Sequence, residues 1–265
     1  VMKPAYDGFV YFRNGFMTLT AYLVAAFAVV LTGISKSGFA GGLGVLGVPL
    51  VAMFMPPQAA AVLLLPILIG IDLVSVWRYR SAWTIKTVLI LLPGALGGIA
   101  VGMVTFADLD PDILRLGIGM MALGFVALYF WRRNGDDIAK GRPNGIKVFF
   151  VSALSGFAGF VAHAGGPPIK GTLLAMRLDK TAFVATNSIF FFILNVAKGV
   201  GYASLGLFSA SGLLDSLILV PFLFLGVWLG FALHDRLSQL VFVRLAYGFL
   251  AVAGVNLVML GLFKP

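Results

Sequence analysis

Hydrophobic residues fall in ten long blocks, roughly 16–35, 38–55, 58–77, 83–105, 112–131, 146–162, 166–178, 181–205, 211–234 and 239–262. Short polar or Gly/Pro-rich breaks separate them. A helix needs about 20 apolar residues to cross the hydrocarbon core, and most of the blocks approach that length. Within lipid, isolated strands would leave backbone polar groups unsatisfied, so such runs read as helices. The pattern predicts an all-α, polytopic transmembrane helix bundle. Blocks 38–55 and 166–178 are the exceptions: their Gly and Pro content predicts broken or re-entrant segments. The first block runs into Lys36 and glycine rather than a small-residue cleavage site, so no cleavable signal peptide is expected.

Composition leads to the same solvent. The chain has 265 residues, of which 60% are hydrophobic and 11% charged, with a mean hydropathy of +1.04. Soluble domains carry about 25% charged residues, and a globule this size still exposes roughly a quarter of its unfolded surface. It could not hide so much apolar area from water. Cys and Glu are absent and only His163 and His234 supply imidazole, a palette too poor for most metal or acid/base enzymes. No cofactor or metal is expected. The net charge of +9 would suggest nucleic acid in a soluble protein. Here it reads instead as Lys and Arg retained in cytoplasmic loops, so the expected surroundings are a lipid bilayer, with no nucleic acid.

One polar stretch, 132–147, carries Arg132, Arg133, Asp136, Asp137, Lys140, Arg142, Pro143 and Lys147. It separates a first transmembrane repeat, 1–131, from a second, 148–265. The repeats share ordered anchors. Gly38-Phe39-Ala40-Gly41 with Pro49 aligns with Gly156-Phe157-Ala158-Gly159 and Pro167. Likewise Pro93, Gly98 and Gly102 align with Pro221, Gly226 and Gly230, and Arg115 and Gly119 with Arg244 and Gly248. Five segments per half is an odd number, so the second copy should be inserted upside down. If all ten cross, one face collects Arg78, Arg80, Lys86, the linker cations, Arg177, Lys180, Arg236 and Arg244. The other face receives Lys3, Arg13, Arg115, Lys170 and Lys264 beside Asp108, Asp110 and Asp112. The positive-inside rule then makes the linker cytoplasmic and puts both termini outside the cytoplasm.

Candidate chemistry gathers at two places. The Gly-rich stretches 33–49 and 156–171 cannot form uninterrupted helix, since each interior Gly costs about 1 kcal/mol relative to Ala. Broken backbone at membrane depth is tolerated where it is buried or lines a wet cavity, and transporters aim such half-helix N-termini at anionic substrates. Gly38, Gly41, Gly42 and Gly44, with His163, Gly165 and Gly166, are therefore candidate binding residues; close packing is the alternative use of the glycines. The second place is a stripe. Asn187, Phe191, Asn195, Lys198 and Tyr202 recur at i, i+4, i+8, i+11 and i+15, one helical face. Counting back 123 residues into the first half reaches Asp72, Ser75 and Tyr79.

Ionisable groups within a membrane are costly and usually face a pathway, so Asp72 and Lys198 should meet one cavity from opposite sides; snorkelling to the interface is the alternative. Asp72 and His163 are the candidates for proton coupling. Lys36, Ser37 and Lys170 flank the breaks, as anion attractors or as loop ends. Arg115 and Arg244 read as anchors or caps. Trp77, Trp83 and Trp131, at segment ends, fit an aromatic belt, and Trp228, in mid-segment, reads as packing.

Taken together, the Gly38–Gly42 motif with Pro49 and Ala59, its second copy through Gly165-Gly166-Pro167, and Ala182 with Thr186-Asn187-Ser188 resemble the TauE/SafE sulfite exporter family over nearly the whole chain. The departure is His163-Ala164 and Pro168, where that pattern is richer in Gly. The resemblance implies a multi-pass carrier of the bacterial cytoplasmic membrane, exporting a small sulfur-containing anion such as sulfite, thiosulfate or an organosulfonate. Its partners are that anion and the bilayer, with a homo-oligomer left open. The leading expectation is a secondary transporter working by alternating access. A passive anion channel is the alternative, and a membrane-embedded hydrolase a weaker one, because no Gly-x-Ser-x-Gly motif is present.

Overall fold

The computed structural model describes residues 17–38, 44–132, 144–234 and 239–263. Ten helices follow in order: α1 Leu19–Gly38, α2 Gly47–Val51, α3 Pro57–Arg78, α4 Ile85–Asp108 and α5 Pro111–Arg132, then α6 Gly145–Ala162, α7 Gly166–Ala175, α8 Lys180–Ser204, α9 Ala210–His234 and α10 Gln239–Leu262. A single 3-10 turn, Gly44–Leu46, leads into α2. No strand occurs among the described residues. Eight helices are long and apolar enough to cross a membrane; α2 and α7, with 5 and 10 residues, are too short. The ten-block pattern thus holds, and the two doubtful blocks are the two short helices. Gly41, Gly42, Arg236 and most of the 132–147 linker lie outside the described residues.

Local chemistry explains the helix starts. Asn144 accepts from the Ile146 N–H at 3.1 Å to begin α6, and Asp179 accepts from Thr181 and Ala182 at 3.0 Å to begin α8. Each side chain satisfies donors that a helix N-terminus leaves free. Pro57 opens α3 at a position where its missing N–H costs nothing. Pro93 and Pro221 lie inside α4 and α9, which continue through them.

Packing is closest where glycine lets backbones touch. A methyl group on Gly94 would sit 2.3 Å from the Phe149 carbonyl, one on Gly98 1.9 Å from that of Ala153 and one on Gly102 2.9 Å from Phe160 Cβ, contacts that rise together, so α4 and α6 run side by side in the same direction. A methyl on Gly156 would sit 1.9 Å from the Ala95 carbonyl. The same relation joins α1 and α9, where Gly226 abuts Val30 and Gly230 abuts Ile34 and Ser37. Ser37 adds a bond across that seam to the Val227 carbonyl at 3.1 Å. Without a hydrophobic force between helices in lipid, such small-residue seams supply the association. In contrast, α3 runs antiparallel to α8, since Gly199 meets Leu65 while Asn195 meets Asp72. α5 runs antiparallel to α10, with Gly119 against Gly254 and Gly261 against Asp112.

The outer surface is apolar, including Trp77, Val104, Val200 and Trp228, as a lipid-facing bundle requires. Trp228 corrects the packing expectation: it is 64% exposed on the outside of α9, because Gly226 and Gly230 turn the opposite face toward α1. Arg115 pairs with Asp112 at 2.6 Å, a local contact of the anchoring kind.

The seams make a testable contrast. Gly156→Ala forces a methyl into the α4 backbone and should destabilise the protein by about 1–3 kcal/mol. Gly124→Ala on α5, where nothing lies within 4 Å, should be neutral or stabilising by up to about 1 kcal/mol. Thermal unfolding in detergent should therefore lower the midpoint for the first and not for the second.

Candidate functional site

Four long helices, the 3-10 turn and the start of short α7 surround a cavity of about 60 Å³, taken as the space open to the centre of a water molecule. Its walls come from both halves of the chain. Lys36 comes from the last turn of α1, and Gly44 and Val45 from the 3-10 turn. Leu68, Asp72 and Ser75 come from α3, and Gly159 with His163 from the end of α6. Gly165, Gly166 and Pro167 begin α7, while α8 presents Asn187, Phe191, Asn195 and Lys198. Ser75 lies three residues before the end of α3 and Val184, also lining, four residues after the start of α8, so the cavity sits toward that end of the bundle.

Two polar clusters form the cavity's chemistry. In the first, Asp72 takes Lys36 Nζ on one oxygen and Asn195 Nδ2 on the other, so one carboxylate ties α1, α3 and α8 together. Asp72 and Asn195 are 2% and 3% exposed. Burying a charge in hydrocarbon costs several kcal/mol unless it is paired and hydrogen-bonded, and this carboxylate has both. In the second cluster, His163 Nε2 lies 2.8 Å from the Ala61 carbonyl. Nδ1 lies 3.3 Å from the Gly159 carbonyl, a longer contact; the shorter one to Ala61 assigns the proton to Nε2 and leaves Nδ1 its lone pair. That lone pair accepts from Lys198 Nζ at 2.7 Å, and the Gly159 carbonyl accepts from the same ammonium at 3.0 Å. The direct partners of Lys198 are neutral acceptors, although the side chain is only 3% exposed. Two lysine amines and one carboxylate thus face the cavity.

The backbone at His163 explains how the ring arrives there. Helix α6 ends with His163 at φ 52°, in the left-handed region, with its N–H on the Gly159 carbonyl and the Ala164 N–H on that of Ala158. An L side chain in this region costs roughly 1–2 kcal/mol, which glycine avoids. The ring's two hydrogen bonds offset that cost. Next, Ser155 Oγ donates to the Gly165 carbonyl at 2.7 Å, and a methyl on Gly165 would fall 2.6 Å from the Ser155 carbonyl. The break is therefore shorter than the Gly-rich stretch implied: 156–162 is continuous helix, and the chain turns only over 163–165.

In the first turn of α7, Pro167 and Pro168 have no N–H, leaving Gly165 and Gly166 as donors at that tip. Beyond Lys198, Tyr202 donates to the Phe160 carbonyl and packs at 4.7 Å from the Phe160 ring and 5.6 Å from that of Phe106. This aromatic layer is fully buried and closes the α8 stripe on that side.

The family model for "Sulfite exporter TauE/SafE" matches residues 25–257, which include every described residue of the cavity. The chain belongs to the TauE/SafE family. It is a multi-pass membrane protein of that transporter family. No curated protein and no solved structure matches it.

Of the residues expected at the site, Gly44, Asp72, His163, Gly165, Gly166, Asn187, Asn195 and Lys198 line one cavity. Gly38 ends α1. Neither Asp72 nor Lys198 snorkels, since both are buried with inward partners. Asn195 is engaged by Asp72, whereas Asn187 makes no hydrogen bond to another described residue and keeps its amide for the cavity. The sequence underrated Lys36. Its place in the last turn before a break was visible, but its partner lies 36 residues away.

The strained His163 gives an ordered prediction. His163→Gly relieves the left-handed cost but removes acceptor and donor from Lys198 and Ala61, a loss of about 1.5–3 kcal/mol for bonds to charged groups. His163→Ala suffers the same loss without the relief. Thermal unfolding should rank the wild type above Gly, and Gly above Ala by about 1 kcal/mol.

Proposed function

We propose that the protein is a secondary transporter that exports a small sulfur-containing anion, such as sulfite, thiosulfate or an organosulfonate, by alternating access. One observation carries the anion reading: the buried Lys198 ammonium faces the cavity with neutral acceptors as its direct partners. A charge so placed costs free energy when the cavity is empty and recovers it when an anion enters. Asn187 adds a free amide, Gly165 and Gly166 add backbone donors, and Phe191 with Leu68 supplies an apolar wall. Sulfur as the central atom rests on family membership.

Alternating access rests on duplication. The halves 1–131 and 148–265 act as upside-down copies, a reading supported by the antiparallel course of α3 against α8 and α5 against α10. It is supported too by the like seams α4–α6 and α1–α9. Carriers of this kind bind near the midplane where the copies meet, beside discontinuous helices. The end of the bundle carrying Arg78, Arg80, Lys86 and Arg177 faces the cytoplasm, so the cavity is nearer that side and the Phe106–Phe160–Tyr202 layer closes the other. A buried aromatic layer across the route favours a carrier over an open channel. Asp72 and His163 carry the coupled proton, each being a titratable group at the cavity wall. The membrane is the bacterial cytoplasmic membrane.

The experiment is transport by purified protein in vesicles loaded with sulfite, with and without a pH gradient. Saturable efflux that the gradient accelerates is expected, and Lys198→Gln should cut efflux at subsaturating sulfite by at least about tenfold, as loss of a buried charge partner does. Conductance far above carrier rates would instead indicate a channel. No saturable movement of sulfite, thiosulfate or an organosulfonate would end the carrier reading.

A further inference from the structure

We propose that Asp72 is a built-in competitor for the transported anion: in the empty cavity its carboxylate occupies Lys36, and the arriving anion takes that ammonium from it. The inference rests on the anion-carrier reading and adds how the site is regulated.

Three observations point to displacement rather than a fixed structural pair. The contact lies on the cavity wall, and the Lys36 side chain is 17% exposed while that of Asp72 is 3% exposed, so the ammonium is the half an incoming ion can reach. Asp72 has a second donor, Asn195, on its other oxygen, so losing Lys36 does not orphan a buried carboxylate. The two cations also differ in what holds them. Lys198 is fixed by the Gly159 carbonyl and the His163 ring, neither of which an anion replaces. Lys36 is held by an anionic group of the same chemical kind as the cargo.

The exchange has a mechanical side. Through Lys36 and Asn195, Asp72 links α1 and α3 to α8, and these elements come from different halves of the chain. In the empty state that link ties the halves on the cavity side. A bound anion that takes Lys36 frees α1 from α3 while the Asp72–Asn195 bond still holds α3 to α8, and departure of the anion restores the α1–α3 tie. The internal carboxylate also repels the cargo, which keeps affinity low enough for release.

The test is calorimetric titration of sulfite, kept anaerobic, into the detergent-purified full chain. Asp72→Asn keeps the shape and removes the charge, so binding should tighten on the order of tenfold, the scale of one nearby charge in a partly screened site. Asp72→Ser should tighten it as well, which covers the case in which one variant does not fold. On a Lys36→Gln background most of the gain should vanish, because the contested ammonium is gone. Equal or weaker binding by both Asp72 variants would overturn the proposal in favour of a residue that merely positions Lys36. A gain that persists in full without Lys36 would also overturn it, leaving only field repulsion. If the wild type and all variants fail to bind sulfite, thiosulfate and an organosulfonate, the carrier reading itself falls, an outcome distinct from the other two.

Discussion

A charge inside a membrane bundle must find its partner within the protein, and this demand organises the centre of the molecule. Asp72 and Lys198 are buried away from water, so the elements near them are arranged to satisfy them. Asp72 draws donors from α1 and α8. Lys198 draws acceptors from the end of α6, and to present one of those acceptors the chain places a histidine in a left-handed conformation. The local backbone cost is accepted because the alternative, an ammonium with no acceptor, is larger.

Glycine seams make that arrangement possible. The contact of α4 with α6 at Gly98 and Gly156 fixes where α6 ends, and therefore where His163 leaves it. The matching seam of α1 with α9 fixes the last turn of α1 and so the reach of Lys36. Between them, the antiparallel crossing of α3 and α8 sets Asp72 opposite Asn195. Packing that seems remote from the chemistry thus sets the positions of all three charges.

The source of positive potential shifts as a result. Interrupted helices invite an account in backbone dipoles, yet two prolines remove half of the first-turn donors of α7. The five residues of α2 form little more than a turn. Under the anion-carrier proposal, side-chain amines held by neutral or exchangeable partners are the larger source, and such a site can be tuned one residue at a time.

Much of this was legible in the chain. The ten helices followed from hydropathy, because in lipid the length and apolarity of a segment decide its structure with little help from neighbours. The face Asn187–Asn195–Lys198 followed from helical period alone, and the expectation that it meets Asp72 came from aligning the two halves of the sequence. Other features lay beyond any one-dimensional pattern. Sequence could not say that Asp72 belongs to Lys36, that Asn195 serves Asp72 while Asn187 stays free, or that Trp228 faces outward. Nor could it reduce the break at 156–171 to three residues. Which segments form, and which face of each is polar, is written in local order; which polar group meets which depends on how helices rotate and cross, and only the assembled bundle fixes that.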